Sequence, residues 1–234
     1  MGRLYRTLRR GFCAVTRRYR VEWAEPFIDE PCVFIGNHAG AYGPLEMATK
    51  FPLRDRQWLW CNEGIMNRKT CADYIRHDYW WPEDSKLAGF YSAVIPPVVA
   101  RLLPPILCSA PTIPVYHDLR ITRTFRESVQ KMEEGQHIVI FPEQADGFQS
   151  HREEISMGWL TLCPMACARL GKPVRMYPVH VDYHRHVFRV AAPVTYDPDR
   201  SVDEQKDELA EALTRGLRGL TEESEAKAQT KNRL

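Results

Sequence analysis

The chain has no run of consecutive apolar residues approaching the ~18 that a membrane-spanning helix needs. Its seven cysteines, an odd number, include no Cys-x-x-Cys pair. No apolar segment ahead of a small-residue cleavage site marks a secretory signal. These absences are those of reduced thiols in a cytosolic compartment. There is no internal repeat and little charge imbalance. A formal net charge of +2 is too small to make nucleic acid a partner. With 44% hydrophobic and 26% charged residues in 234, the chain has the composition of a globular protein with one sizeable core.

Acid is also missing from one place. The first twenty residues carry seven arginines and no Asp or Glu. Leu4, Leu8, Phe12, Val15 and Tyr19 recur at helical spacing among them, which predicts a basic amphipathic helix over 1–20. Such a helix either lies in a membrane interface, its arginines on anionic headgroups, or docks on the protein's own core. Arg6 stands where a myristoylation signal has Ser or Thr, so Gly2 is a poor acceptor. Residues 71–111 are rich in Tyr, Trp and Phe and interrupted by Pro96, Pro97, Pro104 and Pro105. The prolines are expected to break this region into pieces too short to span a bilayer. The pieces suit an interface, a lid over a site, or buried core.

The remainder alternates strand and helix. Cys32–Ile35, Gln57–Cys61, Ile113–Tyr116, His137–Phe141, Val174–Val181 and Val187–Val194 read as strands. Ile121, Phe125, Val129 and Met132 form a helical stripe, with Thr124 and Glu127 as a capping box and Gly135 as its stop. A second helix is expected over 155–170, kinked at Pro164 and stopped by Gly171, and a last one over 203–220 carries Leu209, Leu213 and Leu217. The predicted fold class is α/β with a mostly parallel sheet, as a single domain over 21–220 and a disordered tail over 221–234.

Two strand ends carry candidate chemistry. Asn37-His38 follows the first apolar strand, with Gly40 and Gly43 after it, and Phe141-Pro142-Glu143 ends another. Loops at strand ends of α/β sheets are where sites form, and a histidine there serves as a general base near neutral pH. In order along the chain stand Asn37-His38, Ile113-Pro114-Val115, an amphipathic helix ending in Glu134-Gly135, Ile140-Phe141-Pro142-Glu143, Gly171-Lys172-Pro173-Val174 and Tyr177-Pro178-Val179. This series of blocks, over 21–197, resembles the phospholipid-synthesis acyltransferases of the 1-acyl-glycerol-3-phosphate acyltransferase type.

The resemblance implies a glycerol-3-phosphate acyltransferase-like three-layer sandwich around a mostly parallel sheet, and a cytoplasmic protein peripherally associated with membrane lipid. It implies transfer of a fatty acyl group from acyl-CoA or acyl-carrier protein to a hydroxyl of a lipid-like acceptor. No cofactor or metal is called for beyond that co-substrate. His38 takes the place of the family's general base in N-H-x-x-x-x-D. Asn37, Arg120, Phe141, Pro142, Glu143 and Gln144 take the places of substrate-binding residues. Backbone amides at Gly40 and Gly43 are expected to hold the oxyanion. Gly43, however, occupies the family's aspartate position, and losing the orienting acid of a Ser-His-Asp relay costs about 10⁴ in rate. Glu46, Glu63, Asp146 or a main-chain carbonyl are the candidate replacements. The arginine after the family's F-P-E-G is gone, and the earlier one is displaced to Arg120, so an acceptor lacking phosphate is expected. The rival expectation is a catalytically impaired relative that binds lipid or acyl groups at a membrane. A thioester hydrolase, with water as acceptor, is a third.

Two other groupings read as structure. His180, Asp182, His184 and His186 crowd what looks like a hairpin turn, where surface imidazoles suffice as an account. Cys163 and Cys167 share a helical face as small buried hydrophobes.

Overall fold

The computed structural model describes residues 1–37, 42–77, 87–142 and 157–231. In chain order the elements are α1 (Arg3–Val15), β1 (Arg20–Trp23), β2 (Val33–Gly36), α2 (Tyr42–Lys50), β3 (Gln57–Asn62), α3 (Glu63–Met66), α4 (Cys71–His77), α5 (Ala88–Ser109), β4 (Thr112–Val115), α6 (Ile121–Glu133), β5 (His137–Ile140), α7 (Leu162–Leu170), β6 (Arg175–Asp182), β7 (Val187–Val190), β8 (Val194–Thr195) and α8 (Val202–Lys231). The protein is α/β. Among the described residues, eight strands form one mixed sheet in the order β1-β7-β6-β2-β5-β3-β4, with β8 pairing β6. From β6 through β4 every neighbour is parallel, while β7 and β8 run antiparallel to β6.

Alternation along the central strands sends their side chains to two faces. Val33, Ile35, Ile138 and Ile140 face α6, α7 and α8, meeting Phe125, Met132, Leu162, Ala166 and Leu213. Phe34, Val139 and Tyr177 face the other way, against Met47 and Phe51 beside α2 and the aromatic group around Trp23 and Phe27. Both faces of the centre are therefore sealed, which is why its strands are apolar throughout. Cys71, Ile75 and Ala100 join α4 to α5 in a smaller cluster.

Several local expectations are corrected. Thr124 does not cap α6, which already begins at Ile121; its hydroxyl donates instead to the Pro114 carbonyl at 2.7 Å, tying the helix to β4. Pro164 lies in the first turn of α7, not in its interior, so its missing N–H costs little there; a 3₁₀ turn at Gly158–Thr161 precedes the helix. The prolines of residues 96–105 do not break α5, a continuous 22-residue helix. Paired prolines concentrate the lost bonds in two turns, and the Arg101 carbonyl, whose usual donor Pro105 lacks, accepts from the Arg68 guanidinium at 3.3 Å. Beyond Leu220, where a disordered tail was expected, α8 continues to Lys231. Ser224 there donates to Asp182 at the end of β6, and its neighbours are strong helix formers.

His137 opens β5 fully buried, edge-on to Phe27 and Phe34, with Cys32 Sγ 3.3 Å from its Nδ1. Burial, aided by the charge of Arg56, lowers its pKa to about 4. The unfolded chain takes up this proton near the ordinary histidine value while the folded chain does not. Stability is therefore lost as pH falls from about 6.5 to about 4, by about 3 kcal/mol, and levels off below. Urea unfolding between about pH 7 and about pH 4.5 measures this slope, and His137→Phe should flatten it. An unchanged slope in the variant would assign the acid sensitivity elsewhere.

Candidate active site at the carboxyl edge of the sheet

Because β6, β2, β5, β3 and β4 are parallel, their carboxyl ends share one edge, the usual place for a site in such sheets. The register pairs Ile35 with Ile140 and Gly36 with Val179, so the two strands that lead toward His38 and Glu143 finish side by side. His38, Gly40, Glu143, Gln144 and Asp146 themselves lie outside the described residues, as do Tyr79, Trp80 and Trp81.

The strand ends are held closely. Asn37 donates its N–H to the Val179 carbonyl at 3.3 Å, and its side-chain oxygen accepts from the Val181 N–H at 2.7 Å. Its carboxamide oxygen thus pins the chain to β6 immediately before His38. Phe141 follows β5 and lays its ring over Gly36: a Cβ on that glycine would lie 2.6 Å from the ring. Pro142, the next residue, is buried. The pairing of a bare strand end with a ring from the neighbouring block has no sequence signal, since Gly36 reads simply as the end of a strand.

Gly43 is corrected from loop to helix. It is buried in the first turn of α2, where free N–H groups collect. Pro44, next in that turn, supplies none. Tyr42 at the helix start stacks on Tyr183, which follows β6, with centroids 5.2 Å apart. Glu46, one of the candidate orienting acids, is buried and already engaged. Lys50 Nζ lies 3.0 Å from its Oε2 and 3.3 Å from its Oε1. Burial foremost, then Glu46, pushes the Tyr19 phenol up. The Glu46 carboxylate therefore balances a buried lysine.

Further along the edge, β3 and β4 present a polar group. Asn62 caps α3 by accepting from the Gly64 N–H at 2.8 Å, which leaves its amide to donate to His117 Nε2 at 2.9 Å. That bond fixes His117 as the tautomer protonated on Nδ1. Glu63, the second candidate acid, opens α3 and lies 4.0 Å from Arg120. Arg120 is gripped by Asp118 through Nε at 2.9 and 3.0 Å and Nη2 at 2.8 Å, and stands over the Tyr116 ring at 4.5 Å. The pair holds the Asp118 carboxyl below its ordinary range. Arg120 thus reaches the predicted edge with its charge already countered. Sequence reading missed His117, Asn62 and Asp118 because each is an ordinary turn residue until β3 and β4 pair.

The histidine-rich turn after β6 has other employment. Asp182 receives Ser224 and the Arg185 N–H, and approaches Arg189; His180 meets Thr221, and His186 packs on Tyr19. Among the described residues, no group of three or more His, Cys, Asp or Glu side chains is arranged to hold a metal ion. Cys163 and Cys167 are buried against the sheet, and burial raises both thiols. Comparison with models of known protein families and with curated proteins finds no match.

Proposed function

We propose that this protein is an acyltransferase of the glycerolipid type, with a glycerol-3-phosphate acyltransferase-like three-layer fold, working as a cytoplasmic protein peripherally bound to a membrane. In this reading a fatty acyl thioester of CoA or of acyl-carrier protein meets a lipid-like alcohol at the carboxyl edge of the sheet. His38 removes the hydroxyl proton, and the new oxygen–carbon bond forms as the alkoxide adds to the thioester carbonyl. Collapse of the tetrahedral intermediate breaks the carbon–sulfur bond, and the imidazolium returns the proton to the departing thiolate. Glu143 positions the acceptor, and the first-turn amides of α2, rather than a glycine loop, are the donors nearest in sequence for the oxyanion.

The observation that carries this reading is the parallel pairing of β2 with β5, which finishes Asn37 and Pro142 on adjacent strand ends. Those residues immediately precede His38 and Glu143. The Arg120–Asp118 pair argues for an acceptor without phosphate, since a guanidinium already forked onto a carboxylate has little left for a second anion. With acyl-CoA supplied, transfer to monoacylglycerol is expected to exceed transfer to lysophosphatidate by at least about tenfold, judged by one lost charge-assisted contact. Robust lysophosphatidate turnover in a radiolabelled thin-layer assay would overturn the acceptor assignment.

A second reading is favoured by Gly43, which leaves the family's orienting-acid position without a carboxylate. In that case the protein retains acyl groups without turning them over. Saturable acyl-CoA binding together with no transfer to any acceptor in a lipid extract would establish it.

A further inference from the structure

α5 is apolar and long enough to cross a bilayer, yet only 17% of its apolar stretch is buried. Its inner side is Pro96, Ala100 and Pro104. On the opposite side, Phe90 (62% exposed), Val94, Val98 and Leu102 (59%) follow one another at intervals of four, a single outward stripe. Scattered surface apolar residues need no account, but a continuous stripe marks a docking face. α1 repeats the pattern: Leu4, Leu8 and Val15 (84%) face outward while Tyr5 is buried and donates its hydroxyl to the Ala48 carbonyl at 2.6 Å. The two helices are joined. Gly2 N–H donates to the Ser109 carbonyl at 2.7 Å, and Tyr5 N–H to the Ser109 hydroxyl at 3.0 Å. A Cβ at Gly2 would overlap that hydroxyl, so the junction depends on the glycine.

From this arrangement we infer that α1 and α5 together form a rigid seat for an anionic bilayer surface, with α5 lying in the membrane plane rather than crossing it. Charge complementarity selects the occupant. Arg9 and Arg20 are engaged by Asp55 and Glu22, whereas Arg3, Arg6 and Arg10 on α1, and Arg17 and Arg18 just after it, are exposed in a segment without a single acid. Two features set the depth. α5 packs along its middle on α4, through Ala100 against Cys71 and Ile75, so it cannot leave the body of the protein to span. Its paired prolines also remove the helical donors of the carbonyls at residues 92, 93, 100 and 101; Arg68 supplies a donor to the one at 101, and for the others the wet interface offers water where hydrocarbon offers nothing. The seat bears on the site because α1 also holds α2, through Tyr5 on Ala48 and Cys13 on Thr49, and α2 begins directly after residues 38–41. A bilayer-borne alcohol would thus be met by a helix tied to the edge that carries the site.

This inference rests on the membrane half of the proposed function and not on acyl transfer, so it is read without turnover. Purified full-length protein is floated with phosphatidylcholine vesicles, with and without about a third phosphatidylglycerol. Wild type is expected to float with the anionic vesicles and weakly with neutral ones. Phe90→Ser/Val98→Ser/Leu102→Ser should lose about a hundredfold or more in partitioning. Arg6→Gln/Arg10→Gln should lose about 30-fold on anionic vesicles only, about fivefold per charge. All these residues are exposed, so thermal unfolding should be unchanged. The seat is overturned if wild type stays in the soluble fraction, floats equally with both vesicles, or is matched by the variants. It is also overturned if wild type is dimeric and the triple variant monomeric, which would make the stripe an interface between copies. Transfer to a detergent-dispersed alcohol, measured in parallel, separates failure of the seat from failure of the enzyme.

Discussion

His38→Ala is expected to lower acyl transfer at least about a thousandfold, the middle of the range for a positioned general base, and to leave thermal unfolding as in wild type. The chemical half follows from pKa matching. An aliphatic hydroxyl does not ionise near neutral pH, and an imidazole is the one side chain able both to accept its proton there and to return a proton to a thiolate. The structural half follows from where stability resides. Among the described residues, both sheet faces are packed by residues of β2, β5 and β6 against α2, α6, α7 and α8, which supply a core of their own. Transfer from radiolabelled acyl-CoA and a calorimetric scan on the same preparations check the two halves together. Turnover equal to wild type would end the enzymatic reading, and a large loss of stability would reassign His38 to the scaffold.

The sheet was legible in the sequence because its central strands are short, apolar and punctuated: Val33–Gly36, Gln57–Asn62 and His137–Ile140 all lie where periodicity places them. The helices after Arg120 were equally plain, since Phe125, Val129 and Met132, and later Leu209, Leu213 and Leu217, mark one buried face each. α2 and α5 were not. In α2 a Gly-Pro pair at the start hides a helix whose inward residues include a charged Glu46 balanced by Lys50. In α5 four prolines argue locally for breaks, yet the helix runs unbroken from Ala88 to Ser109 because each Pro-Pro pair confines its lost bonds to one turn. α1 was legible as a helix whose apolar stripe would face either a membrane or the core, and Leu4, Leu8 and Val15 of that stripe are exposed. Tyr5, outside the Leu4–Leu8 ridge, is the residue buried, because a phenol finds an acceptor in the Ala48 carbonyl that a leucine would waste. Of the candidate site, the shared sheet edge was inferable from motifs at strand ends. The partners that decide each residue's role were not, since Asp118 on Arg120, Lys50 on Glu46 and Val181 on Asn37 depend on folding.

Gly36→Ala is expected to cost about 1–3 kcal/mol of stability, the usual range for overpacking, and to lower transfer about a hundredfold. The glycine is not needed for its backbone freedom. The new methyl would lie 2.6 Å from the edge of the Phe141 ring and 3.0 Å from its neighbouring carbon, well inside contact distance. β2 cannot yield easily, because it is the strand between β5 and β6 and Asn37 is tied to β6 at the next position. The ring must therefore move, and the backbone through the buried Pro142 that follows it is expected to shift as well. Glu143 is the next residue along the chain, and under the proposed function its carboxylate, which would position the acceptor, is expected to feel the shift. A shift of about 1 Å in such a group is enough for a hundredfold loss. Phe141→Leu offers the compensating space. In the double variant, stability and transfer should both recover part of the loss, giving a coupling free energy of at least about 1 kcal/mol. If Gly36→Ala alone keeps full activity, or if the two substitutions simply add, the contact between the Gly36 and Phe141 blocks does not organise the site.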